Sequence, residues 1–495
     1  MSESANERVQ RVLDLLAQVR DQGLTCFGAD AHGFTLGPVA SEARVRAFED
    51  AHGIALPEDY RAFLRLAGER GAGPYYGLYD LEHCNDFTTW ICDDVPKDVL
   101  ARPCPLRPGR NADVVGRDLA SYLGTMTLGT QGCSYMMQLV VTGECRGRVV
   151  YVDADGGAPY VVLEPDFLAW YERWLRELLA GYDVTWFGLG PSGDAQAFLG
   201  TLARSTDDAA RIEAARALIR IPNPDAELRA SIVELVGDRL APIRTCAIFA
   251  IGEHAILEGI DAAAARFDDE HPDVRSAAIR AVMAHASARH HARVLELALA
   301  DPDSKVALSA VIALDKSDTL PNETRVRIVR ESPHGGARTQ AAWKVKWSVE
   351  HRPLLIAMLD DPDVQVRRYA IIGIRSTTAT QAVPALLARL GREDDVDIRT
   401  MLIDAIGILG DASAGATLLA DAEGADDYHR LAVVGALARL GDERVVPLAT
   451  AMLAEHHHPV RKHANGSRTH MSTVAMLVRD QLAKSPSATL RALAT

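Results

Sequence analysis

The residues best equipped to do chemistry in this chain crowd into one short stretch. Tyr75-Tyr76-Gly77-Leu78-Tyr79-Asp80-Leu81-Glu82 is followed by Asp86, Trp90, Asp93 and Asp94. Aromatic rings interleaved with carboxylates offer rigid contact area beside fixed negative charge, which suits recognition of a basic protein surface. The competing reading makes the tyrosines core residues and the acids mere solubilisers. A second aromatic pair, Trp343 and Trp347 with Lys344 and Lys346, marks a repeat that departs from its neighbours, as a binding patch or a local repacking. Cys84, Cys92 and Cys104 with His83 are zinc-ligand types, but none of the seven cysteines forms a Cys-x-x-Cys pair. His456-His457-His458, with His463 and His470, read as a solvated loop, because three adjacent histidines on a helix point three ways. There is no G-x-S-x-G, P-loop, H-E-x-x-H or dinucleotide fingerprint. A nucleophile–His–acid set need not be contiguous. The expectation is a binder without catalytic residues, metal or cofactor.

These residues need elements to position them. Val9, Val12, Leu13, Leu16 and Val19 fall at helical intervals within residues 7–20. Thr25-Cys26-Phe27 and Phe34-Thr35-Leu36 are strand-prone. Ser41 is placed to cap a helix, Gly53 to stop it, and Pro57 to open the next, on which Leu56, Tyr60, Phe63 and Leu64 share a face. The period then changes to two. Met126–Leu128, Ser134–Val141, Arg148–Val152 and Tyr160–Leu163 read as strands, separated by Gly129/Gly132, Gly143/Gly147 and Asp155-Gly156-Gly157. Phe167, Trp170, Tyr171, Trp174, Leu175 and Leu178 mark a closing helix. Helices, a meander and a helix predict an α+β domain over 1–187, with a linker at 188–195.

The segment Phe48-Glu49…Gly53-Ile54…Leu56-Pro57…Asp59-Tyr60…Phe63-Leu64 resembles the signature of the Smi1/Knr4 family, the SUKH superfamily. Leu128-Gly129…Gly132…Tyr135, then Gly147-Arg148-Val149-Val150-Tyr151-Val152-Asp153, then Phe167…Trp170, follow in that family's order. The resemblance spans about residues 40–180. One departure is local: Leu66–Gly73 keeps glycines but lacks the Asn-Gly usual after the second helix. The resemblance implies protein binding, and many bacterial members look like immunity proteins that neutralise toxins, nucleases among them.

Beyond residue 196 the chain repeats. A basic residue opens each helical run at Arg211, Arg244, Arg275, Arg338, Arg367, Arg399, Arg430 and Arg461, with Ala307 at the one vacant period. Positions three and seven later are mostly small and large apolar residues, which share a helix face. Asp-Pro-Asp at 301–303 and 361–363 sets helix starts. This is similar to short HEAT-like repeats and predicts an all-α solenoid of about nine helix pairs over 196–470, capped by a helix and tail at 471–495. The arginines are expected to pair with acids of adjacent turns, because a ligand site is not repeated eight times.

Residues 1–195 carry 17 Lys+Arg against 28 Asp+Glu, and residues 196–495 carry 36 against 39. The acidity of the first part disfavours nucleic acid and suits a basic partner. No signal peptide or membrane span is evident, and the free-cysteine pattern fits the cytoplasm. The leading expectation is a cytoplasmic immunity-type protein occluding a small basic toxin such as a nuclease. The alternatives are a scaffold or adaptor in signalling or envelope regulation, and a HEAT-like enzyme of the DNA glycosylase or bilin lyase type. A glycosylase requires a basic groove, which a near-neutral solenoid does not advertise.

Overall fold

The computed structural model describes residues 4–84, 86–92, 94–316, 320–458, 460–462, 468–470 and 472–495. They form two compact units, Met1–Ala263 and Ala264–Thr495. No described helix is long and apolar enough to cross a membrane.

The first unit begins with α1 (Ala5–Asp21), α2 (Glu42–His52), α3 (Glu58–Leu66) and the short α4 (Asp86–Ile91). Ser4 and Glu7 close a capping box at the start of α1, Ser41 Oγ accepts from the Arg44 N–H, and Gly53 ends α2 at φ +65°. A five-stranded antiparallel sheet runs in the order β1-β5-β4-β3-β2. Its strands are β1 (Gly109–Arg110), β2 (Thr125–Gly132), β3 (Tyr135–Val140), β4 (Val149–Asp153) and β5 (Tyr160–Val161). The α+β expectation holds. The two strand-prone segments before residue 40 do not form strands. Gly28 and Gly33, at φ +81° and +52°, fold them around a single 3-10 turn, and only Leu36 bridges to Gly71. Gly129 is not a separator but a strand residue, at a register shift in β2.

Helix α5 (Phe167–Leu179) buries Phe167 and Tyr171 against Tyr60 and Phe63 of α3, Trp170 against Phe187 and Trp174 against His32 and Phe34. Trp170 Nε1 donates to Tyr151 Oη at 3.1 Å, and Tyr171 Oη donates to the Ala72 carbonyl at 2.8 Å. Arg8 and Arg11 of α1 reach Asp166 and Glu172 at the start and middle of α5. On the far side Arg173, buried, donates to Glu164 at 2.6 Å, Glu177 at 2.7 Å and the carbonyls of Gly190 and Pro191. Glu177 also receives Arg220, which donates to the Asp183 carbonyl. The segment joining the sheet domain to the helices is therefore held by hydrogen bonds on both sides.

The helical remainder of this unit is α6 (Ala195–Arg204), α7 (Asp208–Leu218), α8 (Ala226–Leu235), α9 (Ala241–Glu253) and the first turn of α10 (Ile260–Ala264). The second unit continues with α11 (Pro272–Ala300), broken at Ala286, α12 (Ser304–Lys316), α13 (Asn322–Glu331), α14 (Gly335–Trp343), α15 (Arg352–Met358), α16 (Val364–Ser376), α17 (Val383–Leu390), α18 (Val396–Leu409), α19 (Gly415–Asp421), α20 (Asp427–Leu440) and α21 (Val446–Leu453). The hairpin β6 (Val460–Lys462) and β7 (Arg468–His470), then α22 (Val474–Ala483) and α23 (Ala488–Leu493), complete it.

The periodic arginines are structural. Arg244, Arg275, Arg338, Arg367 and Arg399 each reach back to the carbonyl six residues before them, Arg211 reaches the Leu202 carbonyl, and in most turns the arginine also reaches forward to a carboxylate of the next turn. Arg275 takes the Asp269 carbonyl at 2.8 Å and both Asp301 oxygens at 2.8 Å. Arg338 takes Ser332 O and Asp361, Arg367 takes Asp361 O and Glu393, and Arg399 takes Glu393 O and Asp421. Asp361 and Glu393 accept one arginine on the side chain and the next on the backbone, so the bonds form a continuous ladder. Position 307 breaks the arginine series but not the ladder: His334 Nε2 lies 2.8 Å from the Asp301 carbonyl. Arg461 does not open a helix as expected. It lies in β6, because the polar stretch with Asn465-Gly466 carries a hairpin signal rather than a helix cap. The ladder resumes one period later at Arg491, which donates to Ser485 O at 2.6 Å and Pro486 O at 2.7 Å.

Candidate functional site

The aromatic and acidic stretch of the first unit crosses β2 as a tight loop. The Tyr79 N–H donates to the Leu128 carbonyl at 2.7 Å, and a Cβ on Gly129 would lie 2.2 Å from the Gly77 carbonyl. Only glycine permits this crossing. The loop then divides its tyrosines. Tyr75, at φ +58°, turns inward, is buried, and donates from Oη to the Phe187 carbonyl at 3.2 Å. Tyr76 turns outward, 41% exposed, edge-on to the exposed Phe27 with ring centres 5.5 Å apart.

Beyond them opens a groove of about 620 Å³ lined by Arg70, Leu78, Tyr79, Asp80, His83, Trp90 and Cys133. Trp90 stands 76% exposed at its edge. Asp80 caps the turn Leu81–His83 and sits 2.6 Å from His83 Nδ1, with Arg70 at 3.8 Å. Burial pushes the Asp80 carboxyl up, but the His83 ring and the N–H groups of Glu82 and His83 hold it below the usual aspartate range. Burial raises the Tyr79 hydroxyl, so it stays neutral. Glu82 is exposed and meets Arg44, which already grips Glu69 with two bonds. Asp94 is exposed, at φ +55°. Asp93 and the side chain of Asp86 lie outside the described residues.

On the other side of the turn lies a second groove, about 610 Å³, lined by Arg44, Ala47, Phe48, His52, Leu81, Glu82 and Cys84. Phe48 and His52 pack at its wall with tilted rings, 4.6 Å between ring centres. The turn Asp80–Cys84 is therefore a ridge between two apolar depressions, with carboxylates on the ridge. A further exposed aromatic, Trp186, packs edge-on to Tyr135 at 5.7 Å. Sequence reasoning missed Arg70, His83 as an Asp80 partner, Cys133, Phe27 and Trp186. Aromatics next to glycine in otherwise polar turns, as at Phe27-Gly28, were the available signal.

The cysteine set is not brought together. Cys84 lies in the main core, while Cys92 and Cys104 lie in a second apolar cluster behind the sheet. Burial pushes the Cys104 thiol up to about 11, away from the thiolate that metal binding or nucleophilic attack requires. Among the described residues one trio of ligand-type side chains converges, Asp427, Glu455 and His457. Arg430 donates to both carboxylates, at 3.2 and 3.0 Å, and already supplies their countercharge. His456 and His458 are exposed. His463 and the side chains of His470 and Arg461 lie outside the described residues.

In the second unit Trp343 is 61% exposed, and Lys344 spans from its ring, 5.9 Å away, to Asp315 at 2.6 Å. Lys346 is exposed, and its backbone exchanges two hydrogen bonds with Asn322. Trp347 is half-buried, packed on Gly373 and edge-on to His351. Trp343 faces out while Trp347 packs inward.

Comparison with known proteins agrees with both halves. Residues 39–173 match the SMI1 / KNR4 family (SUKH-1), and residues 352–423 match HEAT repeats. No curated protein matches the chain. Solved structures that resemble it include the YibA protein of Escherichia coli, 20% identical with a TM-score of 0.36 over 50% of this chain and 92% of that one. A chain of the Kap95p–RanGDP structure is 11% identical, TM-score 0.41, over 66% and 49%. Human deoxyhypusine hydroxylase is 18% identical, TM-score 0.23, over 50% and 96%.

Proposed function

We propose that this chain is a cytoplasmic protein-binding protein without catalysis of its own, and that its N-terminal domain occludes a small basic toxin, a nuclease among the candidates. One observation carries the reading: the ridge Asp80–Cys84 with its two flanking grooves, edged by the outward ring of Trp90, with Tyr76 exposed on the same loop. Exposed aromatics beside apolar depressions are the anchors of protein interfaces, and a carboxylate ridge steers a cationic partner to them. The excess of 28 acids over 17 bases in residues 1–195 acts in the same direction at longer range. The match of residues 39–173 to the SMI1 / KNR4 family supports protein binding as the role of this domain.

The test is a pull-down with the full chain and with its Trp90→Ala and Glu82→Lys variants, followed by expression of each captured protein alone and together with this chain. A small basic protein, toxic alone, rescued by the full chain and bound at least about tenfold more weakly by Trp90→Ala, supports the reading. A partner that is harmless alone makes the protein an adaptor instead.

A further inference from the structure

Helices α12, α14 and α16 stack side by side in the second unit. Five residues after each ladder position, at 307, 338 and 367, stands an exposed apolar side chain: Ile312, Trp343 and Ile372, at 37%, 61% and 40% exposure. Equal offsets on stacked helices place the three in one row, with neighbours about 10 Å apart, the spacing of packed helix axes.

The row is bordered by positive charge. Lys316 lies one turn after Ile312. Arg368 and Arg375 lie one turn before and after Ile372, on its face of α16. None of the three has a carboxylate partner among the described residues, in a fold whose other arginines are mostly paired. Arg368 Nε is buried without an acceptor, as is Thr339 Oγ1 one turn before Trp343. Residues 304–376 carry 12 Lys+Arg against 8 Asp+Glu, the reverse of residues 1–195.

We infer that this row is a docking surface for an acidic protein segment with apolar anchors about 10 Å apart. Side chains seven residues apart on a helix meet that spacing, since seven rises of 1.5 Å give about 10.5 Å. The apolar residues would seat on Ile312, Trp343 and Ile372, and the acids would meet Lys316, Arg368 and Arg375. Two of the three row residues are isoleucines, which give a base no ring to stack on, so the row favours protein over nucleic acid. The inference is independent of the grooves in the first unit.

The experiment is selection of 20-residue random peptides displayed on phage against the full chain, with binding then measured by fluorescence anisotropy. Enrichment of Asp/Glu-rich peptides with apolar residues seven apart is expected. Trp343→Ala and Arg375→Glu should each weaken these peptides about tenfold, while Trp90→Ala leaves them unchanged. Both substitutions are at solvent-facing positions, and an unchanged melting temperature confirms that the variants fold. No acidic enrichment, or selected peptides indifferent to both variants, overturns the inference. So does a labelled single-stranded or duplex oligonucleotide that binds the same face and is lost with the same variants.

Discussion

The two regions use arginine in opposite ways. In the sheet domain Arg173 makes one unrepeated, buried junction, joining Glu164, Glu177 and two backbone carbonyls contributed from 4 to 18 residues away. In the helical unit the same chemistry recurs turn after turn, most of these arginines bonding carbonyls behind and a carboxylate ahead. A single aromatic core with one such junction stands or falls as a whole. A ladder distributes its hydrogen bonds, so damage at one rung should remain near that rung.

The largest effect should come from the sheet domain. Trp170 is fully buried among Phe167, Tyr171 and Phe187, and its indole N–H is bonded to Tyr151 Oη. Trp170→Ala leaves a cavity and removes the indole donor from Tyr151 Oη, at a cost of about 3–5 kcal/mol. Denaturant unfolding followed by near-UV dichroism should show the whole domain lost together. Partial retention of its aromatic signal would break the contrast.

Arg367→Ala should cost about 3 kcal/mol, because it removes two charge-assisted bonds from the buried Glu393 carboxylate, leaving it to Arg389 and the Asp395 N–H, and also removes the donor to the Asp361 carbonyl. Hydrogen exchange should rise in α16 and α18 and remain unchanged in the sheet domain. The pH dependence sharpens this. Burial pushes the Glu393 carboxyl up, but bonds from Arg367, the Asp395 N–H and Arg389 hold it below the ordinary glutamate value. A depressed folded-state pKa gives stability that is complete above the unfolded value, about 4.3, and is lost as pH falls through the lower folded-state value. Acid should therefore weaken this rung below about pH 4, and Glu393→Gln should flatten that limb of the curve. An unchanged acid limb in the variant would show that the Glu393 pair is not what the pH reads.

Legibility in the sequence followed the same divide. The ladder was visible as a period because each rung depends on residues at fixed, short offsets: the carbonyl six back, the helix cap, the small and large apolar positions. The closing helix, the capped α2, the three longer strands and the short β5 were visible for the same reason. What escaped depended on distant partners. Nothing near Tyr75 announces that its hydroxyl ends at Phe187, 112 residues on, so burial of one tyrosine and exposure of the next could not be read. The groove gathers Arg70, Asp80, Trp90 and Cys133 only because the loop crosses β2 at Gly129, a contact that has no period. Arg491 escaped for a different reason. The hairpin at β6–β7 interrupts the helices, so the last rung lies beyond a gap.

The smallest effect tests how the ladder tolerates a missing arginine. At position 307 the small Ala307 is fully buried between neighbouring helices, and no guanidinium reaches the Asp301 carbonyl from there. His334, from the turn before α14, fills the role with one hydrogen bond of 2.8 Å, while the Asp301 carboxylate still holds both bonds from Arg275. His334→Ala therefore removes one backbone acceptor's partner and strands no charge, so the expected cost is about 1 kcal/mol, a third of that for Arg367→Ala. Chemical denaturation gives the magnitude, and hydrogen exchange of the Asp301–Asp303 turn gives the location. A loss as large as that of Arg367→Ala would mean that the histidine bears the same load as an arginine. A loss spread over α18 and α20 would mean that the rungs are cooperative over several repeats, and the contrast between the two regions would narrow accordingly.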